Sequence, residues 1–115
     1  MKVRFIAGVF VVLMLIALFV GGAQPQAAGL IPVPWDKLAH VAFFYIFTLL
    51  LLRFVEMPIA LVIVLAVLVG TMDEVHQLTL PGRMAGWDDW LADVAGIGLG
   101  LAMFKRQKII PKESV

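Results

Sequence analysis

The sequence predicts an all-α membrane protein, a small helical bundle of four transmembrane helices with both termini on the cytoplasmic side (N-in/C-in). Three observations point there. Apolar residues make up 63% of the 115 residues and charged ones only 15%, against about a quarter charged in an ordinary soluble domain. The apolar residues fall in long runs, separated by short segments that hold the prolines and most of the charges. The cations, finally, collect at the ends that this topology places inside the cell. A chain of this length is a single domain, 1–115, and a soluble core of that size could not hide so much apolar surface. Without cysteine there is no disulfide framework, thiolate zinc site or cysteine nucleophile. A net charge of +1, with no basic cluster among exposed aromatics, gives no nucleic-acid partner.

The first helix is expected over about 5–23, nineteen residues without a charge. At 1.5 Å per residue they make about 28 Å of helix, enough for a hydrocarbon core of roughly 30 Å. Gly21, Gly22 and Ala23 could also close a cleaved signal peptide. The apolar run exceeds the roughly 7–15 residues of a signal core, however, so the helix is expected to be retained. Residues 24–35 hold Pro25, Pro32 and Pro34 and no charge, and read as an extended loop. Asp36 is placed as the N-cap of a second helix over about 37–55. Glu56, Met57 and Pro58 form a tight turn, with Pro58 suited to the first position of a third helix, 58–78. That helix has fourteen uninterrupted apolar residues, 59–72, too few to span. It must therefore continue through Asp73, Glu74, His76 and Gln77. Leu80-Pro81-Gly82-Arg83 carries a type II turn signature. A fourth helix follows over about 88–104, with Asp88 near its cap.

Orientation follows from the cations. The inner side collects Lys2, Arg4, Arg53, Lys105, Arg106, Lys108 and Lys112, and the outer side keeps Lys37 and Arg83. Counting at 1.5 Å per residue, His40 stands about 20 Å above Arg53, Asp73 about 22 Å above Pro58 and Asp93 about 18 Å above Lys105. Three distant segments thus put polar side chains at one height in the outer leaflet. Facing agrees. Ala66, Gly70, Asp73 and Gln77 form one stripe of the third helix, and Lys37, His40, Phe44 and Thr48 one stripe of the second. Asp89, Asp93, Gly96 and Gly100 share a face of the fourth, where Gly96-x-x-x-Gly100 permits close approach of a neighbour. Turned inward, these stripes make a polar pocket open to the outside over an apolar floor.

Ionisable groups at membrane depth are costly to keep and mark function by default. Asp36, Asp88 and Asp89 sit at helix N-termini, where caps and the dipole favour negative charge. Asp73 and Glu74 lie near a helix C-terminus, which disfavours them, so they need a partner: Arg83, Lys37, His40, His76 or a cation. Glu74, Asp73 and His40 are the candidate acid–base groups. Lys37, Gln77, Arg83, Asp89 and Asp93 are the candidate ligand contacts, Arg83 being able to grip phosphate or carboxylate through two hydrogen bonds. His40, Asp73, His76 and Asp93 are suitable metal-ligand types. No compact metal motif is present, and the sequence requires no cofactor, a divalent cation being the secondary reading. Serine–histidine catalysis is disfavoured because the only serine, Ser114, is in the tail; Thr48, Thr71 and Thr79 are weak nucleophile candidates.

Four pieces in order resemble the VanZ-like membrane protein family: Asp36-Lys37-x-x-His40, Asp73-Glu74-x-x-Gln77, Pro81-Gly82-Arg83 and Asp89-x-x-x-Asp93-x-x-Gly96. The resemblance covers about 35–100. It departs at Asp93, where the family often has Asn, and at Thr79, where an aromatic is common. It implies a small integral protein of the bacterial cytoplasmic membrane. The family's name-giving member is associated with glycopeptide (teicoplanin) resistance, which similarity alone does not transfer to this chain; a link to resistance or envelope homeostasis is the accompanying expectation.

The leading functional expectation is a site that binds or modifies an anionic envelope ligand, such as a lipid or cell-wall precursor headgroup, entered from the extracytoplasmic side. Lys37 and Arg83 would hold the anion. The alternatives are a non-catalytic interaction subunit whose polar layer is structural, and a small cation or proton path. Membrane lipids are the expected surroundings, and the Gly96/Gly100 face is the expected surface for a homo-oligomer.

Overall fold

The computed structural model of the chain describes residues 2–24, 35–80 and 86–109, with side chains through 107. Four helices and no strand occur among them: α1 Lys2–Gly21, α2 Trp35–Phe54, α3 Ile59–Leu78 and α4 Trp87–Ile109. The expected helices are all present, with shifted ends. Asp36 is not a cap, because α2 begins one residue before it and Asp36 lies in the first turn, where the positive end of the helix dipole still favours it. Pro58 is the cap of α3 (φ −58°, ψ 141°) rather than its first residue. Asp88 likewise falls inside the first turn of α4. At its far end α4 runs on past Lys105 and Arg106. Cations are welcome in a last turn, and nothing in the sequence breaks the helix before Pro111. Of the expected loop 24–35, residues 25–34 lie outside the described residues and Trp35 is already helical, as the opening residue of α2. Of the expected turn 80–83, residues 81–83 lie outside them.

α1 and α2 each close with a wider π-helical turn, 17–21 and 50–54. Beyond α2 the chain reverses through Glu56 at φ 64°, a left-handed conformation that L-residues adopt at some cost. The reversal is pinned by Val55 N–H to the Leu50 carbonyl (2.9 Å) and Met57 N–H to the Leu51 carbonyl (3.0 Å). Arg4 of α1 donates to the Val55 carbonyl at 3.0 Å, which ties the start of the first helix to the same turn.

α1, α2 and α3, 20 residues each with mean hydropathy 2.8, 1.6 and 2.0, are long and apolar enough to cross a membrane. α4 is 23 residues long. Its acids at one end and cations at the other leave a purely apolar stretch only over 94–104. Many large apolar side chains point outward, among them Phe5 and Phe10 on α1 and Leu61, Leu68 and Met72 on α3. So much exposed apolar surface suits lipid rather than water. The interior is built around Phe44, Phe47, Leu51, Leu52, Val62, Ala66, Ile97 and Phe104. The Phe43, Phe44 and Phe47 rings pack with centroids 5.1 to 6.1 Å apart.

The closest helix pair is α2 with α4. They run parallel and in step, Lys37 pairing with Asp89 and His40 with Asp93 at sequence offsets of 52 and 53. The pairing continues to Arg53 Nη1–H with Gln107 Oε1 (2.6 Å) at an offset of 54. Gly96 and Gly100 make this approach possible. A Cβ at Gly96 would collide with the Val41 carbonyl oxygen and come within 3.0 Å of Phe44 Cβ. One at Gly100 would come within 2.9 Å of Thr48 Cβ and 3.2 Å of the Tyr45 carbonyl. The face expected to serve a second copy is therefore occupied by α2 of the same chain.

Replacing Gly96 by Val should lower stability in detergent by about 1–3 kcal/mol or more, the cost of overpacking a tight contact. Gly98→Ala, with nothing within 4 Å of the added Cβ, should leave the unfolding midpoint nearly unchanged. Chemical denaturation followed by circular dichroism compares the two.

Candidate functional site

The in-step pairing of α2 and α4 brings their N-terminal turns together, and the C-terminal half of α3 lies against α4 at the same end. Asp73, Asp89 and Asp93 are 1%, 4% and 1% exposed, unusual burial for carboxylates. Two centres result. At the rim, Lys37 Nζ forms ion pairs with Asp36 (3.2 Å), Asp88 (3.3 Å) and Asp89. One cation thus closes the first turns of α2 and α4 against each other.

Deeper in the bundle His40, Asp73, Glu74 and Asp93 converge, each offering one nitrogen or oxygen within 4.8 Å of the others. His40 Nδ1 lies 2.6 Å from Asp93 Oδ1, which accepts its hydrogen bond. Gln77 Nε2–H donates to Asp73 Oδ2 at 3.1 Å from one turn further along α3. The backbone N–H of Gly86, just before α4, donates to Glu74 Oε2 at 3.1 Å. Among the described residues three buried side-chain oxygens have no partner: Glu74 Oε1 and Asp93 Oδ2 here, and Thr48 Oγ1 on α2. Gly70 makes the room: a Cβ there would stand 3.2 Å from Asp93 Oδ2, so that oxygen sits against α3 one turn before Asp73. Leaving a buried acceptor unpaired costs about 1–3 kcal/mol, more for a charged one, so the two open oxygens set this centre apart from the rim.

Beside the cluster lies an open groove of about 510 Å³, mostly apolar, between the end of α3 (Thr71, Val75, Leu78) and the start of α4 (Gly86, Trp87, Trp90). Glu74 is its one acidic wall residue. Trp90 Nε1–H donates to Thr71 Oγ1 at 3.1 Å, and the Thr71 hydroxyl donates to the Val67 carbonyl at 2.8 Å. Trp87 and Trp90 meet edge to face, 5.9 Å apart.

Of the candidate acid–base residues, Glu74, Asp73 and His40 stand together in the cluster. Among the candidate ligand contacts, Asp93 stands with them and Gln77 orients Asp73. Asp89 is set apart with Lys37, whose ammonium is shared among three carboxylates and is poorly placed to hold an external anion. Arg83 lies outside the described residues. His76 does not join Asp73. Its ring packs against Phe19 of α1 at 5.8 Å, because α3 turns its Asp73 side to α4 and its His76 side to α1. Thr71 and Thr79 spend their hydroxyls on backbone carbonyls, which argues against either as a nucleophile. The Trp90–Thr71 contact and the groove had no sequence signal, since neither follows a helical period.

A model of the family described as VanZ/LLP1 matches residues 5–110, nearly the whole chain. No curated protein and no solved structure matches.

Lys37→Met strands Asp89 inside the bundle, and Asp89→Asn weakens the hold on Lys37. The double variant should be less damaging than the sum of the two, with a coupling of about 1–3 kcal/mol. A thermodynamic cycle of unfolding in detergent measures it.

Proposed function

The chain belongs to the VanZ/LLP1 family, and from that membership we propose that it is a multi-pass membrane protein binding an amphiphilic envelope ligand. The ligand's apolar part lies in the groove between α3 and α4, and its polar head sits at Glu74. The groove carries this reading: it is open, mostly apolar, and lined by two tryptophans and one carboxylate among the described residues. Tryptophan and carboxylate at one mouth match the level where acyl chain gives way to headgroup. Ligand sites of this kind are mostly apolar with a few placed polar groups.

In this reading α4 is the fourth span. Its buried acids, Asp89 and Asp93, face α2 and α3 instead of lipid, and Lys105 and Arg106 stand at the opposite end. Both termini are cytoplasmic and the groove extracytoplasmic in this reading, which the cation bias supports. The headgroup is anionic and its counter-charge is Arg83, in the segment that joins groove residues Leu78 and Gly86. A lipid-linked cell-wall precursor as the ligand would connect the site to glycopeptide resistance. Acid–base chemistry by Glu74, Asp73 or His40 on the bound head is an extension, read by product formation from added envelope lipids.

Native mass spectrometry of gently extracted protein should find a lipid retained by the wild type. Val75→Trp, which fills the groove from an exposed position, should remove it. Arg83→Ala should weaken anionic lipids about tenfold, the loss of one charge-assisted contact. If both variants keep the wild-type lipids with unchanged helicity, the reading fails.

A further inference from the structure

We propose that His40, Asp73, Glu74 and Asp93 form a binding site for one divalent transition-metal cation, of the zinc or manganese class. This does not rest on the lipid reading above. The first observation is convergence: one imidazole and three carboxylates from α2, α3 and α4 bring a donor atom each to within 4.8 Å of one another. The second is independent of it. Asp93 is 1% exposed, and its Oδ2 has no partner among the described residues; Glu74 Oε1 is likewise buried and unpaired among them. Of the three buried unpaired side-chain oxygens among the described residues, the two that are carboxylate oxygens belong to this one cluster, the third being the Thr48 hydroxyl on α2.

The rest of the arrangement fits. Asp93 Oδ1 is held by His40 Nδ1, Asp73 Oδ2 by Gln77 and Glu74 Oε2 by the Gly86 N–H. These contacts orient the three carboxylates and leave Glu74 Oε1 and Asp93 Oδ2 open among the described residues. Orientation of ligands by outer donors is a general feature of metal sites. Charge argues the same way. Three carboxylates meet here, and the nearby ammonium of Lys37 is already engaged by Asp36, Asp88 and Asp89. Imidazole suits zinc and carboxylates suit manganese, and four protein ligands is the usual count for zinc. Donors at about 2.0 Å from a tetrahedral ion stand roughly 3.3 Å apart. Binding would therefore draw the cluster inward, a movement within reach of side-chain rotation.

The full chain in detergent, stripped with chelator, is titrated with Mn²⁺ alone, followed by loss of the free-ion paramagnetic resonance signal, and with Zn²⁺ alone by competition with a chromophoric chelator. Wild type should take up about one ion per chain, with a higher melting temperature in its presence. Glu74→Gln and Asp93→Asn should each weaken binding about tenfold or more and abolish the melting shift. Asp88→Asn, an exposed acid near but outside the cluster, should stay within about twofold of wild type. Should Asp93→Asn fail to fold, the partly exposed Glu74→Gln decides. Val75→Trp, which disables the lipid groove, should still bind the ion, so the two proposals can fail separately. Uptake well below one ion per chain overturns this site and leaves shared protons as the neutralising charge. Equal affinity in wild type, Glu74→Gln and Asp93→Asn overturns it as adventitious binding only.

Discussion

Two missing side chains set the geometry on which the polar end of this molecule depends. Within lipid, helices gain little by leaving one apolar surrounding for another, and close packing has to hold them together. Gly96 and Gly100 let α4 lie directly on the backbone of α2, with room for no Cβ at Gly96. Once seated there, the pair can move neither along nor around its axis without collision. The register so fixed runs from Lys37–Asp89 through His40–Asp93 to Arg53–Gln107. The ion pairs are a consequence of that seating as much as a cause of it. They decorate one end of a contact whose precision comes from the glycines.

The stripes on α2, α3 and α4 were legible because a helical face is a matter of counting by three and four, and four motif segments lay on those faces. What counting leaves open is the partner. A small-residue stripe announces close approach, yet it reads the same whether the neighbour is a helix of this chain or of another copy; here α2 fills it. His76 is a candidate partner for Asp73 on residue type alone, outside the stripe of Ala66, Gly70, Asp73 and Gln77. α3 packs against α4, α2 and the end of α1, so its Asp73 side meets α4 while His76 reaches Phe19 of α1. Helix ends were misplaced by a residue or more because Asp, Lys and Arg are at home in first and last turns, so a charge is a poor marker of where a helix begins or stops. Trp90 donating to Thr71 depends on two side chains meeting across helices, which no periodicity encodes.

The two polar centres solve different problems. Asp36, Asp88 and Asp89 lie in first turns, where the helix dipole favours them, and Lys37 supplies the balancing charge. Their placement is accounted for by fold stability. Asp73 and Glu74 sit in the second half of α3, where the dipole works against a carboxylate, and their protein partners are an amide and a backbone N–H rather than a cation. His40 is the imidazole within the cluster itself. Stability alone gives no reason to gather three acids there, and an apolar replacement of buried ionic groups is often the more stable choice. The cluster is therefore better explained by something it binds than by something it holds together.

Glu74 belongs to both the cluster and the groove, and this shared position constrains how the two can work. One oxygen is fixed by Gly86, the residue that opens α4 and lines the groove, while the other is buried and open. A charge placed in the cluster acts on the same carboxylate that a headgroup in the groove would meet. On the two proposals a cation there would turn an acidic wall, which repels phosphate, into one that can accept it. The anionic preference read from Arg83 and the acidic character of the described site are then no longer in conflict. By reciprocity a headgroup that prefers the cation-loaded state must tighten the cation by the same factor. The two occupants would be held as a pair, with Glu74 as the group through which each senses the other.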